Sequence, residues 1–127
     1  MITLKLPWPP TLNHYYVAIK GRKVLSKGGR DYHEVVRRLC VDGLGWPKAG
    51  PYWNGQRIEL TMMLYSPDKR KYDIDNRIKA VQDALTKSGV WTDDSQIDQL
   101  HVIRGGVDRE DAHVMVMIRE IGNDRRD

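Results

Sequence analysis

Apolar and polar residues alternate with a period of two at several places along the chain. Elsewhere they recur with a period near 3.6. Ile2, Leu4 and Leu6 alternate with Thr3 and Lys5, which predicts a strand that "PWPP" stops. Ile58, Leu60, Met62 and Leu64 alternate with Arg57, Glu59, Thr61 and Met63, the period of a strand buried on one face. Residues 97–103 and 112–119 predict two more strands, joined by a turn containing Gly105, Gly106 and Asp108. Tyr32, Val35, Val36, Leu39 and Cys40 fall at i, i+3, i+4, i+7 and i+8, so a helix is expected over about 29–42. Arg30, Arg37 and Arg38 lie on its other face. Ile74, Ile78, Val81 and Leu85 form the core stripe of a second helix, which Ser88-Gly89 ends, with Gly89 suited to a left-handed cap. Val24 and Leu25, after Gly21, suggest a short hairpin arm.

The order is β-α-β-α-β-β, an α+β class with two layers: two helices packed on one mixed or antiparallel sheet. The stretch Gly43–Gln56, dense in Gly, Pro and Trp, reads as one long surface loop, and "NDRRD" at the end reads as a frayed tail. No repeat or linker divides the chain, so residues 1–127 are expected to form one domain.

Composition narrows the class. No apolar run approaches the ~18 residues of a membrane span, and the N-terminal apolar run is too short for a signal peptide. Cys40 stands alone, which excludes a disulfide framework and a thiolate metal site. A cytoplasmic protein is the expectation. The net charge of +4 is unevenly spread. Residues 1–40 carry eight Lys/Arg against two acids, whereas residues 73–98 carry three against six. Such a chain suits a polyanion partner and needs negative charge at one spot.

That spot is "YDIDNRIKAVQDAL", Tyr72–Leu85. Asp75, Lys79, Gln82, Asp83 and Thr86 lie within roughly a 100° arc of the second helix, apart from its core stripe. Asp73 leads into it. A second acidic pair, Asp93 and Asp94, precedes the next strand. Each feature has an ordinary alternative. Either Asp73 or Asp75 could cap the helix, and Asp75 with Lys79 could be an i, i+4 ion pair. Asp83, on the Lys79 face, reads as a structural or supporting acid.

Lys20, Arg22, Lys23, Lys27 and Arg30 form the best phosphate-tracking patch, and Lys69, Arg70 and Lys71 lie beside the acids. Tyr15 and Tyr16 are candidates to reach the same partner. His14, His33, His101 and His113 are dispersed without metal-ligand spacing, and Trp8, Trp46, Trp53 and Trp91 read as core or interface.

"PWPPTLNHYY" and "KRKYDIDNRIKAVQDALTKSGVWTDDSQI", followed by the short C-terminal hairpin, resemble the RusA family of Holliday junction resolvases. The specific part is D-x-D-N-x-x-K followed by D-A-L-x-x-x-G-x-W-x-D-D. The resemblance implies a homodimeric, Mg²⁺-dependent endonuclease, with Mn²⁺ as the alternative ion and no nucleotide cofactor. Its partner would be a four-way DNA junction, cut in two strands of like polarity during recombination and repair. It also implies that Asp73, Asp75 and Asp94 are catalytic metal-binding acids, that Lys79 is the catalytic lysine, and that Asp93 is a neighbouring acid of less defined role. Family members carry basic residues up to the first aspartate, whereas Tyr72 holds the last of those places here. Junction binding without cleavage, a nuclease for other branched DNA, and a D-x-D nucleotide-sugar transferase are the competing readings. The last lacks a glycine-rich nucleotide loop.

Overall fold

The computed structural model describes residues 1–45 and 50–122, apart from the side chain of Leu44. The tail 123–127 and Trp46 therefore lie outside the described residues, as does part of the Gly43–Gln56 stretch. Strands β1 (Ile2–Pro7), β4 (Arg57–Ser66), β5 (Ile97–Val107) and β6 (His113–Gly122) form one mixed sheet in the order β1-β6-β4-β5. Between β1 and β4 come a short helix α1 (Leu12–Tyr15), the hairpin β2 (Tyr16–Ile19) and β3 (Arg22–Leu25), and helix α2 (Lys27–Leu44). Helix α3 (Asp75–Lys87) joins β4 to β5. The expected α+β arrangement holds, the suggested hairpin arm is present as its own two-stranded sheet, and α1 is added.

The period-two pattern explains the core. Ile2, Ile118 and Leu60 form one cross-strand row, Leu4, Val116 and Met62 the next, and Leu6, Val114 and Leu64 the third. These side chains share one face of the sheet, and Tyr32, Val36 and Cys40 of α2 and Val81, Ala84 and Leu85 of α3 pack into the same cluster. Burial lifts the Cys40 thiol pKa to about 11, so the lone cysteine is an inert core residue. The opposite face is more polar, with Glu59 holding Arg119 at 2.6 Å and His101 at 3.1 Å.

Three boundaries differ from the sequence reading. Helix α2 starts two residues earlier because Ser26 caps it, its Oγ accepting the Gly29 N–H at 2.9 Å. It runs on to Leu44 and stops at Gly45, whose φ of 74° is left-handed. Gly105 and Gly106 lie inside β5 rather than in the turn, and the Tyr65 ring lies against Gly105 where a Cβ would be. The region before β4 is also no free loop. Trp53 is buried and makes a β-bridge to buried Trp91, and Gln96 donates to the carbonyls of Trp53 and Gln56, both at 3.1 Å.

The hairpin is fastened to the start of α2. Its turn residues Lys20 and Gly21 both have positive φ, 51° and 74°, the condition for a two-residue type I′ connection. At its base the Ser26 N–H donates to the Tyr15 carbonyl at 2.9 Å, and a Cβ on Gly29 would crowd that carbonyl, with Tyr15 Cδ1 only 3.1 Å away. Helix propensity alone predicts that Gly29→Ala stabilises by up to about 1 kcal/mol. We expect the reverse, a loss of about 1–3 kcal/mol in urea denaturation, because backbone cannot yield cheaply. A variant more stable than wild type would show that the hairpin base is free to shift.

Candidate active site

Strands β4 and β5 are parallel neighbours, so the chain must cross over the sheet between them, and α3 makes that crossing. Asp73 and Asp75 lie where the chain leaves β4 for α3, and Asp94 lies just before β5. The crossover thus carries both acidic clusters.

The ordinary roles open to Asp73 and Asp75 are not taken. Helix α3 begins at Ile74 as N-cap, with no side-chain cap hydrogen bond. The alternative Asp75–Lys79 pair does not form: Lys79 Nζ instead lies 2.9 Å from Asp83 Oδ1 and 3.7 Å from Asp94 Oδ2. Asp73 and Asp75 are both exposed, and among the described residues neither carboxylate has a hydrogen-bonding or ionic partner.

Asp94 is held differently. Its Oδ1 accepts from Thr86 Oγ1 in a short hydrogen bond, and Trp91 Nε1 donates to the same hydroxyl at 2.7 Å. Oδ2 is left facing Lys79. Asp83 receives the Tyr16 hydroxyl in a short hydrogen bond and retains only 12% side-chain exposure. A buried anion of this kind needs a cation, and Lys79 supplies it. Asp83 holds the Lys79 ammonium above the ordinary lysine pKa, against partial burial and with help from Asp94. Burial and then Asp83 push the Tyr16 phenol well above its usual value.

Asp93 is largely spent on structure. One of its oxygens accepts the Ser95 N–H at 3.1 Å, while Gln96 Oε1 accepts the Asp93 N–H at 3.0 Å. This capping box starts the 3₁₀ turn Asp94–Gln96 and fixes where Asp94 points.

The basic candidates separate into two groups. Lys20, Arg22 and Lys23 are exposed on the hairpin, Lys23 lying 4.4 Å over the Tyr16 ring. Lys27 pairs with Asp31 at 3.0 Å and Arg30 donates to the Leu25 carbonyl at 3.0 Å, so both partly serve the start of α2. Lys69, Arg70 and Lys71 line a cleft of about 860 Å³ together with Tyr72, Asp73, Arg77 and Arg104. Within it Arg70 meets Asp68 at 3.5 Å. Tyr15 is fully buried and cannot reach a partner, and Tyr16 is committed to Asp83.

Two cleft residues, Arg77 and Arg104, escape a reading by local pattern. Arg104 comes from β5, some thirty residues from the acids it joins, and only the β4–β5 register brings it there. Arg77 looks like one more helix charge until Trp8 is found beneath it.

The donor set is all carboxylate, which suits a hard cation. Among the described residues no three potential ligands converge on one point. That is compatible with Mg²⁺, which is commonly held by one or two carboxylates with water and substrate oxygens completing the shell.

The family model for endodeoxyribonuclease RusA matches residues 7–119. The chain belongs to this family. It is 33% identical to the crossover junction endodeoxyribonuclease RusA of Shigella sonnei strain Ss046, over 96% of this chain and 97% of that one. The protein of that name from Escherichia coli K12 gives the same figures. That of Enterobacteria phage 82 is also 33% identical, over 95% of this chain and 96% of its own. Family relatives thus occur in bacteria and in phage. No helix among the described residues is long and apolar enough to cross a membrane.

The Lys79–Asp83 contact makes a sign prediction. Asp83→Asn removes the anion that favours the charged lysine, so the Lys79 pKa should fall, as read by side-chain NMR titration. In the wild type the stability that this pair contributes is present at neutral pH and lost as pH rises through the folded-state lysine value. An unchanged midpoint in the variant would show that Asp83 does not govern the ammonium.

Proposed function

We propose that this chain is a structure-specific endodeoxyribonuclease that resolves four-way DNA junctions, nicking two strands of like polarity in a Mg²⁺-dependent reaction. The observation that carries the reading is the state of Asp73 and Asp75. They are exposed carboxylates that neither cap nor pair, at the entry to the helix whose Lys79 faces Asp94, beside a cationic cleft. Membership of the RusA family, with relatives named crossover junction endodeoxyribonucleases, supplies the substrate class.

One or two carboxylates from among Asp73, Asp75 and Asp94 would hold the metal, with water and phosphate oxygens completing its shell. When bound, Mg²⁺ supplies Lewis-acid polarisation of the phosphoryl group and lowers the pKa of a coordinated water. The chain's own groups do the rest. Lys79, held in place by Asp83, presents fixed positive charge where negative charge develops in the transition state. Thr86 and the Asp93–Gln96 capping box hold Asp94 on the lysine side of the site. Lys69 and Lys71 bring the strand backbone to Asp73. A homodimer is the economical assembly, since paired cuts related by a twofold axis suit two copies of one site.

The deciding assay is cleavage of an end-labelled four-way junction with and without Mg²⁺, mapping both cuts. Symmetric nicks in two like strands are expected. Lys79→Ala should slow single-turnover cleavage by about 2–4 kcal/mol, roughly 30- to 1000-fold, with junction affinity little changed. Binding with no cuts at any Mg²⁺ concentration would leave a junction-binding protein, and equal cutting of flaps would make it a general branched-DNA nuclease.

The signs of the charges give a second test. Without metal, Asp73, Asp75 and Asp94 repel phosphate, so Asp94→Asn in EDTA should bind a junction at least as tightly as wild type. In Mg²⁺ the advantage should shrink while cleavage stays nearly absent. Weaker binding by the folded variant in EDTA would make Asp94 a support of the DNA surface, not a ligand facing the scissile phosphate.

A further inference from the structure

Beyond the carboxyl ends of β4 and β5 the cleft wall is built on a stack of four side chains. The Arg77 guanidinium lies 4.9 Å over the Trp8 ring, and Trp8 meets Tyr72 edge to face at 5.4 Å. The Arg104 guanidinium lies 4.7 Å over Tyr72. Two cations are thus mounted on a pair of aromatic rings. Each guanidinium gives one hydrogen bond to a backbone carbonyl, Arg77 to Pro9 at 2.5 Å and Arg104 to Tyr72 at 2.7 Å. Among the described residues neither meets a carboxylate, and Arg77 Nε is buried without any acceptor. A guanidinium has five N–H donors, so most of this capacity is unused.

Pinning the loop before α3 would need one donor of any charge. Lys69, Arg70, Lys71, Arg77 and Arg104 line one cleft against only Asp68 and Asp73, an excess of positive charge that favours an entering anion. The planar fork of arginine fits phosphate oxygens in pairs, and stacking on a ring holds that fork in place before the ligand arrives. The basic run Lys69–Lys71 stops at Tyr72, and Arg104, supplied from the far strand, restores positive charge at the same place.

We infer that the Trp8–Tyr72 stack carries a phosphate clamp, with Arg104 as its principal ligand, that grips the DNA backbone next to Asp73. The inference rests on the nuclease reading and adds two residues, Arg104 and Arg77, to the DNA-binding set. Arg104 contributes charge to binding and takes no part in the chemical step.

The test is the salt dependence of junction binding in EDTA, where cleavage is off. A lost phosphate contact lowers the slope of log K against log salt by about 1. Arg104→Gln is expected to lose that slope on a four-way junction while circular dichroism remains that of wild type. Arg104→Lys, which retains charge without the planar fork, is expected to keep it. An unchanged slope in the glutamine variant would overturn the clamp. So would a lysine variant that loses slope as fully as the glutamine one, since that marks a structural pin. If the glutamine variant fails to fold, Arg104→Met, which is neutral and can still cover the Tyr72 ring, takes its place in the same comparison. A wild type that cuts junctions while Arg104→Gln keeps its slope removes only the clamp; a wild type that binds no DNA removes the nuclease reading with it.

Discussion

The parallel pairing of β4 with β5 is the constraint on which the rest of the molecule depends. Two antiparallel neighbours could be joined by a tight turn, but parallel neighbours need a crossover of a dozen residues or more. Here the crossover is α3, and it is compelled to lie across the sheet face already made apolar by β1, β4 and β6. Val81, Ala84 and Leu85 fix its rotation by burying one side. Once that side is set, the polar arc beginning at Asp75 and containing Lys79 and Asp83 has one direction to face. The chain returning to start β5 passes that arc, so Asp94 meets Lys79. Hydrophobic burial thereby sets the address of charged groups that could not find each other by electrostatics alone.

The charges then divide by burial. Asp83 is nearly covered and its balance is complete, with Lys79 and the Tyr16 hydroxyl both turned to it. Asp94 is half covered and has one oxygen fixed and one facing the lysine. Asp73 and Asp75 are open to solvent and uncommitted. This gradient is what an ion-dependent site calls for. The innermost acid must not need a metal, or the apo protein would carry an unpaired buried charge. The outermost acids cost little to keep ionised and bare, because water solvates them until ligands arrive.

Much of this was legible in the sequence where the determinants are local. The alternation in Ile58–Leu64 and the 3.6-residue stripe through Val81 and Leu85 predict their elements because burial on one face demands those periods. Asp83 could be placed beside Lys79 by helical spacing alone. The Asp75–Lys79 pair followed the same spacing and is not formed, since a partly buried anion outcompetes an exposed one for the same lysine. Gly105 and Gly106 have the composition of a turn but lie inside a strand, where the Tyr65 ring occupies the space a Cβ would take at Gly105 and Gly106 has a φ of 154°. Tyr15 stands beside Asn13 and His14 as a candidate to reach a partner, yet it is completely buried. Tyr16–Asp83, Thr86–Asp94 and Arg104–Tyr72 depend on packing and strand register, and no local pattern encodes them.

The Tyr16–Asp83 hydrogen bond joins two parts that the sheet topology leaves separate. The β2–β3 hairpin is not paired with the main sheet; it is tied instead to the start of α2 through Ser26 and to α3 through Tyr16. Its exposed Lys20, Arg22 and Lys23 therefore have a short mechanical route to Lys79: Tyr16 touches Asp83, and Asp83 holds the ammonium. The cleft on the other side has its own route, since Arg104 grips the carbonyl of Tyr72, the residue immediately before Asp73. Positive charge on the hairpin and in the cleft is thus anchored to opposite ends of α3. A polyanion drawn by both would lie along α3, over the arc that holds Asp75, Lys79 and Asp94.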